Sequence, residues 1–259
     1  MHYIKLWRKK HKMSQRIIGD KVDLDYRNIQ EFFDRRGEKK KLGSKYNYVL
    51  YQDDCPELAV KRDLQEKEKI SQILHLEAGQ RVLDIGCGIG RWGEYLLEKG
   101  IYYVGIDGSH KMIERAEKNL KGYSERKLIK GVFQELPGCL KMAGEEKPFE
   151  LVFVNGVFMY LNDKDYRQAL KDIHNVCAEH CELYIKESMG IVKRLTLNQI
   201  YSESLAQNYS AIYRSVKEYR QTLMEEFSHD FSLVAEERLY EEELINREET
   251  IDYYFVWKR

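Results

Sequence analysis

The residues best suited to chemistry lie where an apolar segment of the chain breaks into alternating glycines. Val82 to Gly90 read Val-Leu-Asp-Ile-Gly-Cys-Gly-Ile-Gly, which predicts a buried strand followed by a tight turn. Glycine lets the backbone of such a turn come close to a ligand because it has no side chain. The carboxylate of Asp84 would repel a pyrophosphate at this point and would attract an ammonium group. The segment therefore predicts a site for a ligand that carries a positive charge.

A second acidic residue follows at the end of the next predicted strand. Arg91 to Leu97 have apolar residues at helical spacing, and the apolar segment Ile101 to Ile106 then ends at Asp107. In an open parallel sheet, ligands bind at the carboxyl ends of the strands, and an acid about 20 residues after the glycine turn can bind ribose hydroxyls. This strand, helix and strand unit predicts a ligand that contains a nucleoside.

The two segments together resemble a known family. Val82 to Gly90, followed by Gly105 to Asp107, resemble motif I and the next acidic loop of class I S-adenosylmethionine-dependent methyltransferases. The resemblance implies S-adenosylmethionine as cofactor and S-adenosylhomocysteine as product. It also implies that Asp84 lies near the methionine amino group and that Asp107 binds both ribose hydroxyls. The glycines that would accommodate the cofactor backbone are Gly86, Gly88 and Gly90.

The resemblance assigns further residues around the cofactor. The family usually places an acid or amide after the third strand, but this chain has Val132 at the position of the acid. We therefore expect the backbone of Val132 and Phe133, or the amide of Gln134, to recognise the edge of the adenine. The other residues assigned to the cofactor are Cys87, Gly108, Met112 and Asn155, although Met112 could simply pack its own helix onto the domain.

These assignments imply an α/β fold with a seven-stranded, mostly parallel Rossmann-like sheet and helices on both faces. The last strand of the family runs antiparallel to its neighbours. After Asp107 we predict strands at Lys127–Val132, Phe149–Val154, Glu182–Lys186, Phe231–Glu236 and Thr250–Trp257. We predict helices at Arg91–Leu97, at Ser109–Leu120, from an N-cap at Asp163 to about Cys177, and at Val216–Phe227.

The chain divides into an extension and a larger domain. Residues 1–69 are predicted to form an N-terminal helical extension or lid, with helices at Asp25–Phe33 and Pro56–Leu74. Residues 70–259 are predicted to form the S-adenosylmethionine-binding domain. Its fifth strand is expected to be followed by a helical insertion at about 189–215.

The segment after the fourth strand, Asn155 to Leu161, indicates the class of methyl acceptor. Amino methyltransferases that act on bases have an Asp/Asn-Pro-Pro-aromatic motif here, but no proline follows Asn155. The paired-glutamate loop of protein arginine methyltransferases is also missing. The chain resembles small-molecule methyltransferases, which predicts in-line methyl transfer to a nitrogen or oxygen of a small polar acceptor such as a sugar or nucleotide-linked sugar.

Two residues are candidates for a base, and two tyrosine-rich segments are candidates for the acceptor site. Glu187 follows the fifth strand, although it could simply pair with Lys186 or Lys193. His110 follows Asp107, although it could simply begin a helix. Tyrosines offer broad contact faces with a polar tip, and arginine can bind a phosphate or carboxylate with two hydrogen bonds. The predicted acceptor-binding residues are Tyr46, Tyr51, Phe158, Tyr160, Tyr209, Tyr213 and Arg214, for which packing of the extension is the alternative.

Composition limits the other classes of function. Lysine plus arginine and aspartate plus glutamate number 43 each, so the formal net charge is zero and gives no argument for nucleic acid or membrane as a partner. We find no targeting or membrane-spanning pattern and expect a cytoplasmic protein. The five cysteines are scattered, which argues against a disulfide framework, and we expect no metal site.

Two alternatives remain open at this stage. Ile4 to Gln15, followed by Asp23 to Ile29, resembles the opening of a helix-turn-helix DNA-binding domain. A basic amphipathic helix that packs on the domain, or on a second copy of the chain in a homodimer, explains the same residues. The acceptor could also be RNA or protein, although the neutral charge balance argues against RNA.

Overall fold

The computed structural model describes residues 15–40 and 42–259. The DNA-binding hypothesis therefore concerns a segment, Ile4 to Gln15, that lies outside the described residues except for the backbone of Gln15. None of the helices in the described ranges has the length and apolar composition that crossing a membrane requires.

The described chain forms eight helices and ten strands around two sheets. The helices are α1 (Tyr26–Glu38), α2 (Asn47–Leu50), α3 (Pro56–Ser71), α4 (Arg91–Leu97), α5 (His110–Asn119), α6 (Leu136–Met142), α7 (Asp163–Val176) and α8 (Val216–Phe227). The strands are β1 (Gln15–Ile18), β2 (Arg81–Ile85), β3 (Tyr102–Asp107), β4 (Arg126–Lys130), β5 (Phe149–Asn155), β6 (Cys177–Gly190), β7 (Leu195–Ser202), β8 (Gln207–Tyr213), β9 (Ser232–Arg238) and β10 (Thr250–Lys258).

The main sheet has seven strands in the order β4-β3-β2-β5-β6-β10-β9, which confirms the predicted fold class. Strands β2 to β6 pair in parallel, and β10 runs antiparallel to both β6 and β9. The chain leaves β2 in one direction through β3 and β4 and then returns to β5 on the other side. Ligands of such sheets bind outside the carboxyl ends of the strands at this reversal, between β2 and β5.

N-cap residues define where several of the helices begin. Ser109 caps α5 by accepting a hydrogen bond from the backbone N–H of Met112. Asp25 caps α1 in the same way through the N–H of Arg27. Helix α7 begins at Asp163, so the predicted cap is one residue late and Asn162 occupies that position.

The prediction of a helical insertion at 189–215 is wrong. Strand β6 continues to Gly190, and β7 and β8 then form an antiparallel hairpin that pairs with β1 in a three-stranded sheet. The side chains of Leu195, Tyr209 and Tyr213 pack with Phe32 of α1 in one buried cluster. Strand preference depends strongly on such side-chain packing, so tertiary contacts override the helical prediction here. The extension is also not purely helical, because β1 belongs to this sheet.

Buried ion pairs connect helix α3 of the extension to the main domain. Arg91, the first residue of α4, lies 2.9 Å from Asp63 and 2.8 Å from Glu66, both on α3. Glu66 is fully buried and also accepts hydrogen bonds from Trp92 Nε1 and the Tyr184 hydroxyl. A buried carboxylate is stable only when partners of this kind satisfy it, so α3 holds the start of α4 in place.

Candidate active site

The glycine loop between β2 and α4 is packed so closely that side chains would not fit. Gly86 and Gly88 have φ of +72° and +56°, which favours glycine. A Cβ on Gly86 would overlap Cγ2 of Val157, and one on Gly88 would lie 2.6 Å from Cγ1 of Val49. Gly90 has φ of +74° and is the N-cap of α4, so it shapes the loop rather than facing a cavity.

Asp107 ends β3 and faces this loop. Its carboxylate accepts hydrogen bonds from the backbone N–H groups of Gly88 at 2.9 Å and Ser109 at 2.7 Å. Burial raises its pKa to about 6, although these two bonds oppose the shift. A carboxylate has about four lone-pair positions, so Asp107 can still accept hydrogen bonds from a ligand in the cavity beside it.

Asp84 lies one residue before the end of β2 and is almost fully buried. Its carboxylate accepts a hydrogen bond of 2.7 Å from the Tyr103 hydroxyl. Burial raises its pKa to about 6. A cationic group of a ligand would favour its ionised form and would be attracted to it.

A cavity of about 400 Å³, here called the cofactor cavity, opens beside the loop at the carboxyl ends of β2 to β5. Tyr26, Ile29, Gln30 and Phe33 of α1 cover it from the outside. The structure brings these predicted cofactor residues to its wall: Gly86, Gly88, Asp107, Gly108, Met112, Val132, Phe133, Gln134 and Asn155. Asp84 and Cys87 line the cavity next to it.

Asn155, at the end of β5, has an amide that is buried without a partner. Neither its Oδ1 nor its Nδ2 forms a hydrogen bond with any residue that the structure describes. Buried polar atoms are rarely left in this state, so the amide indicates a polar ligand at this point. The glycine loop, the two carboxylates and this amide fit the amino acid and ribose portions of S-adenosylmethionine.

A second and much smaller cavity, here called the inner cavity, lies on the other side of Asn155. Its volume is about 70 Å³. The charged side chains that line it are Arg62, Arg91, Lys186 and Arg247 with Asp84 and Asp252. Burial opposes ionisation of Asp252, but the charges of Lys186, Arg247 and Arg62 hold its pKa well below the usual range.

A third cavity of about 560 Å³, here called the outer cavity, adjoins the inner one. It lies between the β7–β8 hairpin, the segment after α2 and the segment before β10. The residues that line both the inner and the outer cavity are Tyr51, Tyr209 and Arg247.

Four tyrosine hydroxyls form a connected chain along these cavities. The hydroxyl of Tyr160 lies 3.4 Å from that of Tyr51 and 2.9 Å from that of Tyr209, which in turn lies 3.4 Å from that of Tyr213. Burial raises the pKa of Tyr51 to about 12 and raises the pKa values of the other three as well. The four hydroxyls therefore stay protonated at neutral pH and act as hydrogen-bond donors and acceptors.

The structure gives Glu187 a different role from the predicted base. Its carboxylate accepts hydrogen bonds from the backbone N–H groups of Val157, Phe158 and Met159 at 2.8, 2.8 and 3.1 Å. The side chain is fully buried and lines none of the three cavities. Burial raises its pKa to about 7, against the effect of these bonds. Glu187 therefore holds the loop after β5 that carries Tyr160.

His110 and Arg214 are likewise drawn into structural contacts. His110 is exposed at the start of α5 and lies 3.1 Å from Glu114. Arg214 is buried and donates to the backbone carbonyls of Phe158 and Leu161 and to Asp163. Four of its five N–H groups are used in these contacts, and the side chain lines none of the three cavities, so the structure does not place it to bind the acceptor.

Two predicted acceptor residues also lie away from the cavities. Phe158 is fully buried between Phe133 and Tyr166. The ring of Tyr46 lies against Lys67 of α3, with a distance of 5.4 Å from Nζ to the ring centroid. Both side chains therefore contribute packing.

Sequence reasoning missed the charged lining of the inner cavity. Arg62, Lys186, Arg247 and Asp252 come from four separate elements, and only their folding brings them together. One signal was present, since Asp252 is a single acid within the otherwise uncharged strand Thr250–Trp257. A carboxylate on a buried strand needs a partner and so marks a polar site.

Comparison with known proteins agrees with this geometry. Residues 82–180 match the family model described as a methyltransferase domain. The chain is 30% identical over 102 residues to phosphoethanolamine N-methyltransferase 1 of Arabidopsis thaliana, a match that covers 39% of this chain and 20% of that protein. It is 31% identical over 115 residues to demethylmenaquinone methyltransferase of Bacillus velezensis, which covers 42% and 46%. The chain thus spans between a fifth and about half of the length of these curated relatives.

A solved structure extends the likeness over nearly the whole chain. It is 1,6-didemethyltoxoflavin-N1-methyltransferase of Burkholderia thailandensis with bound 1,6-didemethyltoxoflavin and S-adenosylhomocysteine. The TM-score is 0.63 at 14% identity, over 96% of this chain and 97% of that one. This likeness concerns the fold. The family model identifies residues 82–180 as a methyltransferase domain, and the seven-stranded sheet and the glycine loop have the fold of the class I S-adenosylmethionine-dependent methyltransferases.

Proposed function

We propose that the protein transfers a methyl group from S-adenosylmethionine to a nitrogen of a small polar acceptor held in the inner and outer cavities. The observation that carries this proposal is the wall that the cofactor and inner cavities share. Six residues line both cavities: Val49, Tyr51, Gly86, Asn155, Gly156 and Tyr160. A methyl group presented from one side of this wall would meet an acceptor on the other.

The cofactor supplies a methyl group activated on a sulfonium, so the residues of this chain need to align the partners and exclude water. Asp107 and the glycine loop would hold the ribose, and Asp84 the methionine amino group. Helix α1 covers the cofactor cavity, and the β7–β8 hairpin covers the acceptor side. Each element thereby removes one route for bulk water.

The ionisable groups near the shared wall favour a nitrogen acceptor. A hydroxyl needs a base, whereas an amine needs only to arrive unprotonated and correctly oriented. Asp252 is a weak base because its pKa is strongly lowered, and the carboxylate of Asp84, which lines the inner cavity, would be engaged by the methionine amino group. The protonated tyrosines can accept a hydrogen bond from an amine and so aim its lone pair.

The outer cavity indicates an acceptor larger than a simple amine. Its volume of about 560 Å³ would hold a sugar or a nucleotide-linked sugar. Asp53, Asp54, Glu248 and Glu249 line it, and carboxylates readily accept hydrogen bonds from sugar hydroxyls. The relatives named above act, by their names, on other small molecules, phosphoethanolamine and demethylmenaquinone.

Calorimetry and methyl transfer test the proposal in two steps. The intact protein should bind S-adenosylhomocysteine stoichiometrically. Incubation with methyl-labelled S-adenosylmethionine and a cell extract should place the label in the small-molecule fraction, in products that amine-selective derivatisation recovers. Absence of cofactor binding would refute the proposal, and so would label confined to RNA or protein. A methyl group found on an oxygen of the product would support methyltransferase activity but contradict the proposed nitrogen acceptor.

A further inference from the structure

One arginine at the junction of the cavities has no partner. Arg247 lies in the segment before β10 and lines both the inner and the outer cavity. Its guanidinium forms no hydrogen bond or ion pair with any residue in the described ranges 15–40 and 42–259. A guanidinium carries five N–H donors in a fixed fork, so Arg247 presents a full set of donors to the cavities.

The other arginines of these cavities are already engaged. Arg16 pairs with Glu249, and Arg91 pairs with Asp63 and Glu66. Arg62 donates to the Leu244 carbonyl at 3.0 Å and to Asn246 Oδ1 at 2.9 Å. Arg247 therefore differs from the arginines around it in having donors available for a ligand.

Nearby carboxylates do not neutralise this position. Asp252 is the carboxylate whose charge acts most strongly on Arg247. Its direct contacts, however, are with Lys186 at 3.2 Å and with the Ser188 hydroxyl, which donates to it at 2.7 Å. In the outer cavity Asp53 pairs with Arg36. Asp54 and Glu248 also line the outer cavity, and both are exposed to solvent. The inner end of the acceptor site therefore keeps a positive charge beside tyrosine hydroxyls.

We propose that Arg247 binds an anionic group of the acceptor, a phosphate or a carboxylate, with the hydroxyls of Tyr209 and Tyr213 beside it. Both groups present two oxygens that match the guanidinium fork, which gives short and oriented hydrogen bonds. This proposal rests on the proposed function, since it names the substrate class of the same site. The anion would hold one end of the acceptor at Arg247 while the nucleophile points towards Asn155.

The test uses the full-length protein saturated with S-adenosylhomocysteine, so that anions cannot bind in the cofactor cavity. Inorganic phosphate and acetate are titrated separately by calorimetry, which distinguishes the two anion sources. The variants are Arg247→Gln, Arg247→Lys and the matched control Arg35→Met, which removes an exposed arginine of α1 that pairs with Glu31. Affinity for S-adenosylhomocysteine shows that each variant is folded.

We expect at least one of the two anions to bind the wild-type protein saturably. Arg247→Gln should weaken this binding by about ten- to a hundredfold, the range for a charge-assisted hydrogen-bonded contact. Arg247→Lys should recover part of the loss because it keeps the charge, and Arg35→Met should change nothing. If the cofactor-loaded wild type binds neither anion, or Arg247→Gln binds as the wild type does, the anion site is refuted while the methyltransferase stands. If S-adenosylhomocysteine itself does not bind, both proposals fall.

Discussion

The cofactor cavity and the acceptor cavities are built in different ways, although they share a wall. On the cofactor side, backbone groups of loops that directly follow β2 and β3 shape the site, and Asp84 and Asp107 complete it. On the acceptor side, the wall consists of side chains from elements far apart in sequence, such as Tyr51, Tyr209 and Arg247. A backbone-built site tolerates few substitutions and keeps one ligand, whereas a side-chain-built site can change its ligand by single substitutions.

The largest expected effect is a loss of cofactor affinity on substitution of Asp107, which lines only the cofactor cavity. Asp107→Ala should weaken binding of S-adenosylhomocysteine by about 10² to 10⁴-fold, since two charge-assisted hydrogen bonds at roughly 1.5–3 kcal/mol each are lost. Calorimetry measures this loss, and the exposed Glu125→Ala serves as the control. If the Asp107→Ala variant binds S-adenosylhomocysteine as the wild type does, the ribose does not bind at Asp107 and the proposed cofactor side is wrong.

The next effect concerns how strictly the glycine loop requires glycine. Gly86→Ala should lower the free energy of unfolding by about 2–5 kcal/mol, from positive φ and from overlap with Val157. Gly156→Ala is the matched control, because Gly156 also has positive φ but no atom within 4 Å of its Cβ position. It should cost only about 1–2 kcal/mol in denaturant unfolding. Equal costs would mean that backbone strain alone, and not close packing, keeps the loop free of side chains.

A third effect follows from the pKa of about 6 at Asp107. In the proposed binding mode the ribose needs the ionised carboxylate, so the affinity for S-adenosylhomocysteine should be nearly constant above pH 7 and fall by about fivefold between pH 6 and pH 5. Asp84 titrates in the same range and would steepen the fall. Calorimetry across this range measures the slope, and Asp107→Asn should flatten it. An affinity independent of pH would show that neither carboxylate changes protonation on binding.

The smallest effect belongs to the acceptor side. Tyr160→Phe removes the central hydroxyl of the tyrosine chain and should slow methyl transfer at low acceptor concentration by roughly 2- to 12-fold, the value of one neutral hydrogen bond. Binding of S-adenosylhomocysteine should not change. Tyr123→Phe, whose hydroxyl bonds to Glu98 outside the cavities, is the control. A parallel loss of cofactor affinity would show that Tyr160 belongs to both sites equally.

The same contrast explains what could be predicted from the sequence. The cofactor cavity follows from strand ends and turns, which are local patterns, and the predicted residues Asp107, Val132 and Gln134 all line it. Glu187 and Arg214 could not be assigned in this way, because their chemistry is decided by backbone groups of the loop after β5. The sequence does not predict the β7–β8 hairpin, because packing against α1 stabilises its strands.

The buried carboxylate of Glu66 affects which part of the chain can fold independently. A chain shortened to residues 70–259 would lose both carboxylates that neutralise Arg91. A buried ion left without its counterion costs roughly 3–5 kcal/mol, a large part of the net stability of an ordinary domain. We therefore expect that the predicted boundary at residue 70 does not separate two folding units, and that α3 and the cofactor loop unfold together.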